Sequence, residues 1–313
     1  MKRILALLLT IISLAFIPAT AYAKGEEMVV AKGVDVSYWQ GTKVDWQKVK
    51  DSGYTFAILR VGYSGKKDTT FEENYKKAKE VGIKVGVYMY CYAVTESAAV
   101  CDAEDVTKWL DGKTLEYPVF YDMEDDYKNM YLGKLNNNQR TAVGLAFVKK
   151  MQENGFYTGI YANKNWFENK LNLTEIKAKC DCLWIAQYPY SVSDYSKYYG
   201  QYDIWQYASD GSVSGIDGNV DVNVSYLDFS KIIQDGGYNG YPKYIAPTGI
   251  RGDVNGDNEL SLTDVVTLAR YIAGWRGIKL VKEELNADRS EDSAVELSDV
   301  VYLARMVAGW KLD

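Results

Sequence analysis

Residues 119–126 read VFYDMEDD. An apolar strand start runs directly into Asp122, Glu124, Asp125 and Asp126. Clustered carboxylates repel one another and are costly to desolvate, so a strand that ends on them is either meeting solvent at a turn or holding acids for chemistry. Side chains alternate along a strand, which puts Asp122 and Glu124 on one face, about 6–7 Å apart, and Asp125 on the other. Asp125 and Asp126 read as solvated loop residues. The segments on either side decide what kind of strand this is.

Short apolar segments recur around it. GVDVSYW (33–39), FAILRVG (56–62), KVGVYMYCYA (84–93), PVFYDME (118–124), TGIYAN (158–163), CLWIAQY (182–188), DIWQYA (203–208) and VDVNVSY (220–226) all have strand character. Helical stretches lie between several of them. TTFEENYKKAKEVG and NNNQRTAVGLAFVKKMQENG are the clearest, and each closes on Gly. Eight strands joined by crossovers predict an α/β fold, a parallel (β/α)8-like barrel. The later connections are too short for full helices, so the barrel is expected to be irregular. In such barrels the site forms at the carboxyl ends of the strands. Those ends carry Asp35 with Tyr38 and Trp39; Tyr88, Tyr90 and Tyr92 on one face; Asp122 and Glu124; and Asp221. Asp217 is close to Asp221 but precedes the strand on a Gly-rich turn, which favours Asp221.

Composition narrows the chemistry. The 313 residues contain no His, which removes Ser-His-Asp and Cys-His catalysis and most zinc sites. The formal net charge is −6 and no basic stretch follows the extreme N-terminus, so nucleic acid is not an expected partner. Residues 1–23 have a basic start, an apolar run and a small-x-small ending at Ala21-Tyr22-Ala23. That pattern reads as a secretory signal cut before Lys24, leaving an exported chain with no membrane association. Export permits disulfides among Cys91, Cys101, Cys180 and Cys182, with Cys91–Cys101 as one candidate; free buried thiols fit equally.

Residues 24–235 form the barrel in this reading, and 236–250, rich in Gly, Tyr and Pro, form a linker. Residues 251–313 hold an internal repeat. DVNGDNELSLTDVVTLARYIAGW (253–275) aligns with DRSEDSAVELSDVVYLARMVAGW (288–310). The first copy sets Asp253, Asn255, Asp257, Glu259, Ser261 and Asp264 at loop positions 1, 3, 5, 7, 9 and 12. This is calcium-loop spacing, hard oxygen ligands with position 7 acting through its carbonyl. The second copy sets Asp288, Ser290, Asp292, Ala294, Glu296 and Asp299 at the same positions, and Ser290 makes it the weaker expected site. Position 12 is Asp rather than the bidentate Glu of an EF-hand, and no helix precedes the first loop.

A duplicated Asp-ended calcium loop followed by VVxLARxxAGW resembles a dockerin. The resemblance implies a small all-α domain of two loop–helix repeats, two bound Ca2+ ions, and a cohesin module of a scaffold protein as partner. Loop positions 10 and 11 are Leu262 and Thr263, and Leu297 and Ser298, so the cohesin class stays open. The barrel resembles family 25 glycoside hydrolases through GVDVSYWQG, PVFYDMED, IYAN, LWIAQY and IWQYASDGSVSGIDGNVDVN, in that order over roughly 31–230. That resemblance implies a secreted lysozyme cutting the β-1,4 bond between N-acetylmuramic acid and N-acetylglucosamine of peptidoglycan, with no cofactor in catalysis. Glu124 is then the acid and later the base, for which neighbouring carboxylates favour a retained proton. Asp122 assists, either by orienting the substrate's 2-acetamido group or as a nucleophile. Asp35 and Asp221 match the family's other two acids. Tyr88, Tyr90, Tyr161, Trp184 and Trp205 are cleft-wall candidates, and barrel filling is the competing role for each. An inactive wall-binding barrel and a chitinase-like hydrolase are the rival functions. The chitinase pattern Asp-x-x-Asp-x-Asp-x-Glu fails at Phe120, where it needs Asp.

Overall fold

The structure is a computed structural model that describes residues 24–124, 131–189, 192–242, 250–275, 277–281, 287 and 295–310. Residues 1–23, Asp125, Asp126, and Asp288, Ser290, Asp292 and Ala294 of the second loop lie outside the described residues.

The strands are β1 (Ala31–Val36), β2 (Tyr54–Tyr63), β3 (Lys66–Lys67), β4 (Lys84–Tyr90), β5 (Val119–Asp122), β6 (Thr158–Asn163), β7 (Cys182–Ala186), β8 (Ile204–Gly211) and β9 (Val220–Ser225). Their order is β1-β9-β8-β7-β6-β5-β4-β2-β3, and β1 also pairs with β2. That extra pairing closes a barrel, with β3 a short hairpin strand outside the ring. One feature corrects the expected parallel barrel. β9 runs antiparallel to both neighbours, β1 and β8. The connection from β8 to β9 is a Gly-rich turn too short for a crossover, so the last strand enters the barrel from the mouth.

Helices α1 (Trp46–Asp51), α2 (Phe71–Glu80), α3 (Glu96–Trp109) and α4 (Asn137–Glu153) follow the early strands, and α5 (Lys164–Asn169), α6 (Leu173–Lys179) and α7 (Phe229–Gly236) the later ones. The run of Asn before α4 explains its start. Asn136 and Gln139 form a reciprocal capping box, which satisfies amide groups that have no partner inside the helix.

Alternation along the strands makes two cores. Val119 and Tyr121, Leu183 and Ile185, and Val222 and Val224 point outward to the helices. Phe56, Phe120, Tyr161, Trp184 and Ile204 fill the interior. The bottom is closed by α7, whose Phe229, Ile232 and Ile233 join the inner core. Each such side chain contributes about 1.5–3 kcal/mol through burial.

Part of the expected 236–250 linker belongs to this body. Asn239, in the left-handed region at φ 54°, is fully buried. Its side chain accepts from Tyr157 N (2.8 Å) and donates to Tyr117 O (3.0 Å). It therefore caps the lower ends of two strands, and the barrel extends through Tyr241, which packs on the inner core. All four cysteines are free thiols. Cys91 is buried and Cys101 is exposed on α3, so the Cys91–Cys101 pairing is not formed.

The C-terminal part places α8 (Leu262–Ile272) against α9 (Leu297–Val307) around its own small core of Val254, Leu268, Ala287 and Leu303. No described helix is long and apolar enough to cross a membrane.

Candidate active site

The inward column of each strand turns polar as it climbs. On β5 Phe120 is followed by Asp122, on β2 Ile58 by Arg60, on β8 Ile204 by Gln206, and on β4 Gly86 by Tyr88 and Tyr90. At the upper end these side chains surround a cavity of about 190 Å3 that also takes in Asp35, Glu124, Tyr161, Trp184 and Asp221. Trp39 stands at its rim, 76% exposed.

Outward contacts hold the acid of β5, Asp122, in place. Tyr121, immediately before Asp122, faces α3 and α4. Its hydroxyl donates to Asp102 (2.7 Å) and its ring stacks on Phe147 with centroids 4.0 Å apart. With Tyr121 so held, Asp122 points the other way, into the cavity. Asp122 is 5% exposed, and its Oδ1 has no hydrogen-bond partner among the described residues. Burial pushes its carboxyl well above the usual range; Glu124, Asp35 and Asp221 push the same way, and Arg60 opposes them.

Asp35 and Asp221 form a second pair. They face each other across the β1–β9 ladder and share a hydrogen bond. Asp35 Oδ2 also accepts from Gln206 Nε2 and Asn223 Nδ2, both at 2.8 Å. Burial raises Asp35 to about 6 against those bonds. Burial and then the Asp35 charge raise Asp221 to about 9. The pair thus holds one proton at neutral pH. The amides are fixed in turn: Gln206 Oε1 accepts from Tyr161 (2.8 Å) and Tyr188 (2.6 Å), and Asn223 Oδ1 from Trp184 Nε1 (2.9 Å).

A family profile described as glycosyl hydrolases family 25 matches residues 34–216, more than half of the chain. The chain belongs to that family. Lysozyme M1 of Streptomyces globisporus is 28% identical over 198 residues, spanning 61% of this chain and 66% of that protein. An autolytic lysozyme of Clostridium acetobutylicum is 30% identical over 210 residues, 66% of this chain and 58% of its own. The chain thus spans less than two thirds of either relative. The modular autolysin LytC of Streptococcus pneumoniae, solved with a synthetic peptidoglycan ligand, superposes with a TM-score of 0.54 at 29% identity, over 62% of this chain and 46% of that one.

Within this family 25 barrel the structure brings Asp35, Asp122, Glu124, Asp221, Tyr88, Tyr90, Tyr161 and Trp184 to one cavity. It does not bring Trp205. That ring packs in the outer core, and its Nε1 donates to Gln187 O (2.9 Å). Its neighbour Gln206 takes the inward position instead, because adjacent strand residues face opposite ways. Arg60, Gln206 and Asn223 escaped the sequence reading. Inward parity with Ile58, Ile204 and Asp221 was the signal that would have found them.

The C-terminal loop is a second acid cluster. Carboxylate oxygens of Asp253, Asp257 and Asp264 lie within 4.8 Å of one another. Asp253 accepts from the amides of Gly256, Asp257 and Asn258, which winds the chain around it. Asn258, at loop position 6, takes φ 68°, the left-handed conformation that Gly otherwise supplies there. Asp264 doubles as the third residue of a capping box with Ser261. Capping explains Asp264 and Ser261 but not the convergence of Asp253 and Asp257 upon them. Three converging carboxylates with short oxygen-rich side chains fit a hard divalent cation. Of the second copy, Glu296 and Asp299 are described, and they form the equivalent capping box at the start of α9.

Proposed function

We propose that this chain is a secreted peptidoglycan hydrolase, cutting the β-1,4 bond between N-acetylmuramic acid and N-acetylglucosamine. The observation that carries it is Asp122: a buried carboxyl with an unpartnered oxygen, one strand repeat below Glu124, at the base of an aromatic cavity. A buried acceptor without a donor costs about 1–3 kcal/mol, and a substrate N–H relieves that cost. The 2-acetamido group of the sugar supplies one.

Glu124 donates its proton to the glycosidic oxygen as the bond from C1 to that oxygen breaks. Asp122 holds the acetamido N–H and steers its carbonyl oxygen toward C1. Positive charge then spreads onto the acetamido nitrogen, beside a carboxyl whose hydrogen bond tightens as that charge grows. Water next attacks C1, giving its proton to Glu124. Asp35 and Asp221, with their single proton, fix the polarity of the cavity floor. Two of the matched relatives are named as lysozymes, which supports the same reaction.

The test is digestion of purified peptidoglycan by residues 24–313, beside Glu124→Gln. The new reducing ends are identified by mass spectrometry after borohydride reduction. Muramitol ends, lost about 10²–10⁴-fold in the variant, are expected. Glucosaminitol ends, or release that the variant retains, would sink the assignment.

The C-terminal repeats are proposed to bind two Ca2+ ions and to dock on a cohesin module. Supporting this, the two copies expose the same apolar positions, Leu262 with Leu297, Val266 with Val301 and Trp275 with Trp310. Leu262 and Leu297 are 68% and 67% exposed, a matched apolar presentation that solvent alone does not reward. Calcium-dependent retention on immobilised cohesins is the check. Residues 1–23 are proposed to direct export.

A further inference from the structure

Four carboxylates line the cavity, and among the described lining residues Arg60 is the one cation. Its side chain is 10% exposed. Nε donates to Asp68 Oδ2 (2.7 Å), and the guanidinium lies over the rings of Tyr38 (4.7 Å) and Tyr63 (5.1 Å). Asp68 is itself fixed, accepting from Tyr38 N (3.2 Å) and Thr70 N (2.9 Å). Arg60 is therefore immobilised with one edge occupied. Nη2 is buried and ion-paired with the same Asp68 oxygen at 2.7 Å, but it makes no well-aligned hydrogen bond among the described residues. A fixed, buried cation on the cavity wall, with N–H groups that no acceptor meets in line, is a place for a ligand oxygen. The neighbouring carboxylates disfavour an anionic substituent elsewhere in the cavity.

We propose that Arg60 is a specificity subsite for the carboxyl-derived oxygen of the 3-O-lactyl group, the substituent that separates muramic acid from glucosamine. The proposal rests on the muramidase reading above. Spacing supports it. Arg60 on β2 and Asp122 on β5 are separated by β4 alone, roughly 10 Å between backbones. The acetamido and lactyl groups leave adjacent ring carbons. A sugar that gives its C2 substituent to Asp122 has its C3 substituent within reach of a long side chain two strands away. The oxygen has two sources, the free carboxylate of bare glycan or the amide carbonyl of peptide-bearing glycan.

The test is calorimetric binding to Glu124→Gln, which holds substrate uncleaved, with and without Arg60→Gln. Three tetrasaccharide probes are used: muramyl glycan with free lactyl carboxylates, the same glycan with those groups capped as methylamides, and chitotetraose, which has no lactyl group. The expected result is a loss of about tenfold or more for the muramyl probes, the size of a lost charged hydrogen bond, with chitotetraose within about twofold. A larger loss for the carboxylate than for the amide assigns the anion as the ligand, and equal losses assign the acyl oxygen. Equal losses on all three probes, or no loss, overturn the subsite. If Arg60→Gln fails to fold, Arg60→Lys decides by the same ratio: its point charge retains the carboxylate probe better than the amide probe, and parity with the parent overturns the subsite. A Glu124→Gln parent that still cleaves, or that binds no muramyl probe, overturns the underlying function and the subsite with it.

Discussion

The chain gathers acids twice, and the two clusters are built in opposite ways. At the barrel mouth Asp35, Asp122 and Asp221 are buried at the top of an apolar interior, and burial pushes all three toward the protonated form. In the loop at 253–264 the acids are wrapped by backbone amides: Asp253 alone accepts from three. At Asp257 desolvation is the largest single influence, yet hydrogen bonds from Asn255, Glu259 and Thr263 together outweigh it and hold the carboxyl below its usual range. Asp264, at the buried end of the loop, is raised by desolvation. Desolvation is the tool for holding protons, and amide wrapping is the tool for holding negative charge in place. The first suits proton transfer and the second a cation.

If that contrast is right, neutralising an acid has opposite costs in the two places. Asp122→Asn is expected to lower kcat on peptidoglycan about 10²–10³-fold, since it removes stabilisation of charge that develops in the reaction, without lowering Tm. A matching fall in Tm would make Asp122 a structural group and break the comparison. In the loop, removing the cation is the larger perturbation. At Ca2+ one hundredfold above its dissociation constant, binding adds about 2.7 kcal/mol to the unit that holds it. Chelation is therefore expected to lower a C-terminal calorimetric transition and leave the barrel's in place. Asp264→Asn should lower that transition at least as far, because it loses a charge and its amide NH2 cannot accept the backbone bonds that one of the two carboxylate oxygens now takes. The smallest effect concerns the Asp35–Asp221 pair. Both folded values, about 6 and about 9, lie above the ordinary 3.8. Their favourable contribution is whole below about pH 4 and is lost as pH rises through 6 and then 9. Asp221→Asn is expected to raise barrel stability at pH 8 by about 1 kcal/mol, roughly 2–4 °C in Tm, and to change nothing at pH 4. A stabilisation equal at both pH values would remove the shared proton from the account.

Much of the barrel was legible because period-two apolar segments and Gly-closed helices are local signals. β6 matches its sequence bounds residue for residue, and the helix at 137–153 begins where the Asn run supplies a cap. Strand direction was not legible. Nothing in VDVNVSY distinguishes a parallel from an antiparallel strand, and only the short turn before it bears on the choice. Trp205 was misread because aromatic type suggests a cleft wall while parity decides the face, and parity needs a neighbour of known side. Asn239 was hidden inside a Gly- and Tyr-rich segment whose composition reads as linker, although one buried amide there ties two strand ends together. Arg60 was missed for a related reason: its partner Asp68 lies eight residues on, beyond a hairpin.

That amide at Asn239 also fixes where the barrel is gripped. It sits under the lower strand ends, and the chain leaves from there, on the side away from the acids. A tool with its handle at the back keeps its working end free. Were the tail to hold a partner as proposed, the cavity with its acids would stand at the opposite end of the barrel from the point where the chain leaves.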